Sequence, residues 1–220
     1  MNNSSGLGTL LLKGRHYKLP KGQIIQTTED RRVFNLLHSG YVKRYLIAND
    51  GSYGVQVIYG PGDFFPVTLA YSALFDRAIN EGPETYYYEA MTNSDIYTID
   101  ESALKEATEK DPVIYKELFY LAGQRLHWAL HGLENLALGN SYHRVAHEVL
   151  YLANKFGEKK IYGTKISVPL THQDLADILS LTRETVSTCM VQLRKKHLII
   201  NTRGIIVPNL KKLEAEAHTS

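Results

Sequence analysis

Between Tyr115 and Leu136 apolar side chains recur at alternating spacings of four and three residues: Tyr115, Phe119, Ala122, Leu126, Ala129, Leu133 and Leu136. A 3.5-residue repeat held over three heptads is the pattern of an α-helix with a narrow seam that a second helix can fill. Asp111-Pro112 supplies a start signal and Gly139-Asn140 a stop, so a helix is expected over 111–138. Leu118, Leu121 and Leu130 widen the apolar stripe on one side. Such a helix can meet a partner helix and its own domain at once. Phe119, Ala122, Leu126, Ala129, Leu133 and Leu136 are therefore the candidate seam of a homodimer.

Upstream the texture is different. Short β-prone runs lie at 23–26, 33–37, 41–47, 53–59, 85–90 and 95–99. Leu19-Pro-Lys-Gly22, Asn49-Asp-Gly51, Gly60-Pro-Gly62 and Glu81-Gly-Pro83 separate them. Asn-Asp-Gly between two alternating runs is a hairpin signal. Several short strands at near-regular spacing point to a small barrel or sandwich. Residues 1–15 read as a loose terminus with a short apolar patch, and 64–74 as a segment with room for a short helix.

Downstream the chain turns helical and basic. Residues 1–140 carry 13 Lys+Arg against 16 Asp+Glu, a net −3, and residues 141–220 carry 12 against 7, a net +5. An acidic front and a basic back suggest two jobs, the second directed at a polyanion. No apolar run approaches the roughly 20 residues that cross a bilayer, and no signal peptide is read at the N-terminus. The single Cys189 excludes an intrachain disulfide framework and cysteine-ligated clusters, which fits a reducing cytoplasm.

A helix over 142–156 has Val145, Ala146, Val149, Leu150 and Leu152 on its apolar face. A turn-rich stretch, 158–163, and a short strand, 165–169, follow. Thr171 ahead of His-Gln-Asp174 is a capping arrangement for a helix with Leu175, Ala176 and Leu179 inside. Ser180-Leu-Thr182 breaks that helix. Thr182 then caps a second one, 183–197, with Val186, Cys189, Met190 and Leu193 inside. Small Ala176 sits where two helices must cross closely. This is helix-turn-helix spacing, and it leaves the N-terminal half of the second helix free for a major groove. Arg183 can bond guanine in bidentate fashion, Glu184 can accept from cytosine N4, and Ser187 and Thr188 can meet base edges or phosphates. Thr171 and His172, at the start of the first helix, are further DNA-binding candidates. The runs 198–200 and 204–207 flank Asn201-Thr-Arg203 as a β-hairpin wing, with Arg203 placed for phosphate.

The stretch LTHQDLADILSLTRETVSTCMVQLRKKHLIINTRGIIVPN, residues 170–209, resembles the CRP/FNR family of bacterial transcription regulators. Gly40 and Gly60-Pro-Gly-Asp-Phe64 are similar to the glycine turns of its sensor domain. The resemblance implies an α+β chain: an N-terminal antiparallel β-roll of cupin-like jelly-roll type over 1–110, a dimerisation helix over 111–140, and a winged helix-turn-helix over 141–220. It implies a homodimeric, sequence-specific transcription regulator of the cytoplasm, not an enzyme, reading an inverted repeat in double-stranded DNA and meeting RNA polymerase if it activates. It also implies base reading by Arg183, Glu184 and Ser187, with Thr185 on phosphate. Thr188 stands where the family often has Arg, and Ser180 where Gly is common.

The family's cyclic-AMP pocket uses a Gly-Glu pair and then an Arg-Ser pair in the segment after Gly-Asp-Phe. Here that segment has no Gly-Glu, and Arg77 is followed by Ala78. An anionic phosphate would be poorly held, so control by cyclic AMP is not expected. Arg77, Tyr88, Gln124 and Arg125 are the candidate ligand residues, no cofactor is evident, and the effector is unidentified. His127/His131 and His143/His147 have i, i+4 spacing, yet no other ligand accompanies either pair in sequence, so no metal is expected. An alternative is a cupin-like metal- or small-molecule-binding protein with a helical interaction tail. Its roll offers only His16 and His38 as histidines, far apart in sequence.

Overall fold

The computed structural model describes residues 6–27, 33–47, 51, 53–66, 86–138, 140–201 and 204–218. The chain divides into two compact units, Met1–Gly51 with Gln56–Trp128 and Ser52–Val55 with Ala129–Ser220.

The first unit is a roll of two four-stranded sheets. One has the order β1 (Arg15–Leu19), β8 (Ser94–Asp100), β3 (Val33–Ser39), β6 (Phe64–Phe65). The other runs β2 (Ile24–Thr27), β7 (Tyr86–Ala90), β4 (Val42–Ile47), β5 (Tyr53–Tyr59). The pairings within them are antiparallel. Leu19, Leu37, Phe65 and Ile96 of the first sheet and Val42, Tyr59, Tyr88 and Ala90 of the second form one buried core. A sheet closed against another in this way protects its edges and leaves an interior lined by alternate residues.

β3 is apolar on both faces because both are covered. Leu37 enters the roll, whereas Phe34 and Leu36 join Phe64 and Ile99 in a second core under helices. Those helices supply Leu7, Leu104, Ile114, Leu118 and Leu121.

Three expectations fail here. Residues 1–15 are not a loose terminus. Gly6–Leu12 is helical, Leu7 is buried, and its N–H donates to Glu117 Oε2 at 2.8 Å. Arg15–Leu19 is an edge strand paired with β8. Only two turns of helix with one or two buried residues gave too short a period to see. Secondly, Phe64–Phe65 is strand, not the start of a helix; the remainder of that expected helix lies outside the described residues. Thirdly, Glu101–Lys110 is a separate helix, capped by Asp100 accepting from the Ala103 N–H at 2.8 Å. Its weak apolar face, with Leu104 and Thr108 buried, hid it.

The long helix runs Val113–Leu138, close to the expected span. Its two stripes separate as the sequence suggested. Ile114, Leu118 and Leu121 are buried, while Phe119, Leu126, Leu133 and Leu136 are all more than half exposed. Leu130 departs from expectation: it is 50% exposed rather than packed with Leu118 and Leu121.

Gly40 makes the turn between β3 and β4 at φ +89°, a region that favours glycine. A Cβ there would sit 2.2 Å from Ser94 Oγ and 2.7 Å from the Asn93 carbonyl. Backbone strain and overlap coincide, so Gly40→Ala should lower the stability of the roll by about 2–4 kcal/mol, read as an earlier urea transition.

Candidate nucleic-acid interface

The second unit is built on the helix Ser141–Phe156, which buries Val145, Ala146, Val149, Leu150 and Leu152 as expected. Asn140 caps it by accepting from the His143 N–H at 3.1 Å. The expected turn-rich stretch after it is instead a hairpin of β9 (Gly157–Lys160) and β10 (Gly163–Ile166). β10 pairs with β12 (Ile205–Val207), which pairs with β11 (Ile200–Asn201), so the wing is part of a four-stranded sheet. Lysine-rich exposed strands carry little apolar signal, so the sequence of β9 resembles a loop.

The helix-turn-helix follows. His172–Leu179 begins with a full capping box: Thr171 Oγ1 accepts from the Asp174 N–H at 3.1 Å, and Asp174 Oδ2 accepts from the Thr171 N–H at 2.8 Å. It ends at Ser180 in the left-handed region, φ 50°, with the Leu181 N–H donating to the Ala176 carbonyl at 3.0 Å. Glycine is common at such a corner because a Cβ is strained there, so the Ser180 departure is real in conformation as well as in sequence. Ala176 is fully buried, as a close crossing requires.

Arg183–Lys195 is the second helix, capped by Thr182, whose Oγ1 accepts from the Thr185 N–H at 3.1 Å. Val186, Cys189, Met190 and Leu193 are buried. Burial pushes the Cys189 thiol up, as suits a core residue. The helix stops two residues before the expected His197, which sits at φ 56° while Leu198 N–H bonds back to the Leu193 carbonyl at 3.0 Å.

The expected reading face is on the surface. Arg183, Glu184 and Thr188 are exposed, and Thr185 and Ser187 half-buried. Ser187 Oγ donates to the Arg183 carbonyl at 2.8 Å, and Thr188 Oγ1 to the Glu184 carbonyl at 3.0 Å. A hydroxyl has one proton. The 2.8 Å contact between Ser187 Oγ and His172 Nδ1 therefore uses the imidazole N–H as donor. This bond joins the starts of the two helices, bringing His172 and Ser187 together as sequence reasoning did not foresee. Arg203 lies outside the described residues.

A second support was also invisible in the sequence reading. The helix Leu210–Ala217 brings Glu216 to the far end of the reading helix. Glu216 accepts from Tyr142 Oη at 2.7 Å and pairs with Lys196, whose ammonium lies 5.0 Å from the centre of the Tyr142 ring. Lys196, and then the Tyr142 hydroxyl, hold the Glu216 carboxyl below the usual range. Arg144 donates to the Leu179 carbonyl, tying the first helix of the unit to the corner.

Of the candidate ligand residues, Tyr88 is fully buried in the roll, Arg125 stacks 4.3 Å over the Tyr59 ring and Gln124 is exposed; Arg77 lies outside the described residues. Among the described residues no group of three or more His, Cys, Asp or Glu could hold a metal, and no helix is long and apolar enough to cross a membrane.

A roll, a long helix and a winged helix-turn-helix with an open reading face define a DNA-binding transcription regulator. Residues 143–216 match the family model of the Crp-like helix-turn-helix domain. The chain is 25% identical over 183 residues to the CRP-like cAMP-activated global transcriptional regulator of Mycobacterium tuberculosis, covering 83% of this chain and 78% of that protein. Its fold is similar to FixK2 from Bradyrhizobium japonicum, at TM-score 0.75 and 20% identity over 94% of this chain and 98% of that one. It is also similar to a mutant of CooA from Carboxydothermus hydrogenoformans, at TM-score 0.74 and 22% identity over 95% and 90%. These matches support assignment of the chain to the CRP/FNR family of regulators.

Two outcomes check this unit. Thr182→Ala removes a cap and should lower its stability by about 1 kcal/mol. Burial also raises the Glu148 carboxyl from 4.5 to about 7, so folding takes up a proton there. Glu148's contribution to stability is then greatest below pH 4.5 and lost as pH rises through about 7. Glu148→Gln should flatten that slope in unfolding midpoints measured from about pH 5 to 8.

Proposed function

We propose that the protein is a homodimeric regulator that reads an inverted-repeat operator through the helix starting at Arg183. The observation that carries this reading is the open N-terminal face of that helix, with Arg183 and Glu184 exposed above a fully buried Val186. The dimer reading is supported by the exposed seam of Phe119, Leu126, Leu133 and Leu136, flanked by small Ala122 and Ala129 at the same spacing. Two reading helices related by a twofold axis would engage half-sites about one helical turn apart. The division 1–110 roll, 111–140 dimerisation helix and 141–220 DNA-binding domain is part of this proposal. As a regulator acting on DNA it works in the cytoplasm by binding rather than catalysis, and RNA polymerase is the expected partner if it activates.

The hydrogen bonds add polarity to the reading face. Arg183 offers donors, suited to guanine O6 and N7. Glu184, and the hydroxyls of Ser187 and Thr188 with their protons committed to the helix backbone, offer acceptors suited to cytosine N4 or adenine N6. Thr171, His172, Thr185 and Arg203 are assigned to positioning and phosphate contact. Control by cyclic AMP is not part of the proposal: Arg77 precedes Ala78 and the Gly-Glu pair is missing.

Selection of random duplex DNA by the purified protein, without added ligand, tests the reading. An inverted repeat is the expected result; sequence-blind, salt-sensitive binding overturns operator reading by the resting form. Arg183→Ala should cost about 1–3 kcal/mol at one guanine position, with the fold intact by circular dichroism. Leu126→Asp should yield monomers by light scattering that no longer prefer the repeat over a half-site.

A further inference from the structure

Ser187 is held from two sides. Within its own helix, its Oγ donates to the Arg183 carbonyl at 2.8 Å. From the first helix of the motif, fifteen residues earlier in the chain, His172 Nδ1 lies 2.8 Å from the same oxygen. His172 opens that first helix, one turn ahead of Ala176 and two ahead of Leu179, so it stands on the side that packs the crossing. Ala176 and Leu179 are buried and His172 is half-buried, at the edge of the contact. The apolar crossing thus gives way to one polar bond beside the face proposed to read bases.

That bond decides what Ser187 can offer. A serine hydroxyl has one proton and two lone pairs. The Arg183 carbonyl can only accept, so it takes the proton, and the imidazole N–H fills one lone pair. A single lone pair is left for a base, and it accepts without donating. With the backbone bond alone the hydroxyl is held weakly, because one such bond has a net worth of about 1 kcal/mol and serine can turn among staggered rotamers. A hydroxyl free to turn meets donors and acceptors on base edges alike. With His172 in place, turning Ser187 away breaks two bonds at once.

We infer that His172 is a positioning residue for base selectivity. It holds the Ser187 hydroxyl as an acceptor, so that Ser187 prefers an amino-bearing base, adenine through N6 or cytosine through N4, over the keto oxygens of thymine and guanine. His172 acts through Ser187 and need touch neither base nor phosphate. The assignment rests on DNA reading by the helix that starts at Arg183, and adds to it a residue outside that helix which sets the preference at one position.

Selection from random duplex DNA with the full-length protein tests it, followed by competition binding at the position whose preference Ser187→Ala abolishes. There wild type should favour adenine or cytosine over thymine or guanine by about fivefold, the worth of one net hydrogen bond. His172→Ala should bring that ratio close to unity and leave the other positions and the salt dependence unchanged. His172→Asn should restore it, because an asparagine amide nitrogen can donate from nearly the place of Nδ1. Adding His172→Ala to Ser187→Ala should change nothing further. A second measurement needs no DNA. In nitrogen-15 NMR at a pH where the ring is neutral, the imidazole signals lost in His172→Ala should belong to an Nδ1-protonated ring.

An equal loss of affinity for every sequence, with a shallower salt dependence, would make His172 a phosphate contact and overturn the inference. So would an unchanged ratio in His172→Ala, a ratio lost in the alanine and asparagine variants alike, a Ser187→Ala selection identical to wild type, or an Nε2-protonated ring. Each of these leaves operator reading standing. A wild type that selects no sequence overturns operator reading itself, and this inference with it.

Discussion

A helix with two apolar stripes cannot be satisfied by one neighbour. The stripe of Ile114, Leu118 and Leu121 is covered by the roll, and that contact fixes how the helix lies on the outer face of the first sheet. The stripe of Phe119, Leu126, Leu133 and Leu136 is then left facing out, with large side chains more than half exposed. A run of exposed leucines at heptad spacing is unfavourable in water for an isolated chain and favourable once a second helix covers it. The proposed dimer would cover this stripe with the same stripe of a second copy.

The winged unit is organised by the opposite principle, in which polar groups fix apolar ones in place. Thr171, Asp174, Thr182 and Ser180 define where each helix begins or ends, and the buried face from Leu175 to Leu193 follows from those limits. The side chains that would touch DNA are themselves held by short bonds. Ser187 is placed by Arg183 O and His172, and Thr188 by Glu184 O. Side chains held before binding lose less freedom on binding, which favours selectivity over breadth.

What could be read from sequence tracks how strongly a pattern repeats. The long helix repeats an apolar spacing over more than ten residues, the helix-turn-helix carries caps, and the central strands are framed by turn residues, so each was legible. The helices Gly6–Leu12 and Leu210–Ala217 bury one or two residues each, and β9 none, so their apolar pattern is too short to register. The candidate site was legible in its residue types but not in its bonds. Nothing in the order of residues 171–188 reveals that His172 and Ser187 meet, because that contact depends on the angle of the turn at Ser180.

The Glu216–Lys196–Tyr142 cluster has a bearing on how the molecule is made. The second helix of the helix-turn-helix is complete in the chain by Lys195, yet its far end is steadied by a carboxylate that is added some twenty residues later. A ribosome moving along the message releases the roll, then the long helix, and only afterwards the residues that close this cluster. In the proposed dimer, the surface that pairs subunits would therefore be made before the brace behind the helix proposed to read DNA, and one short helix would set that interval.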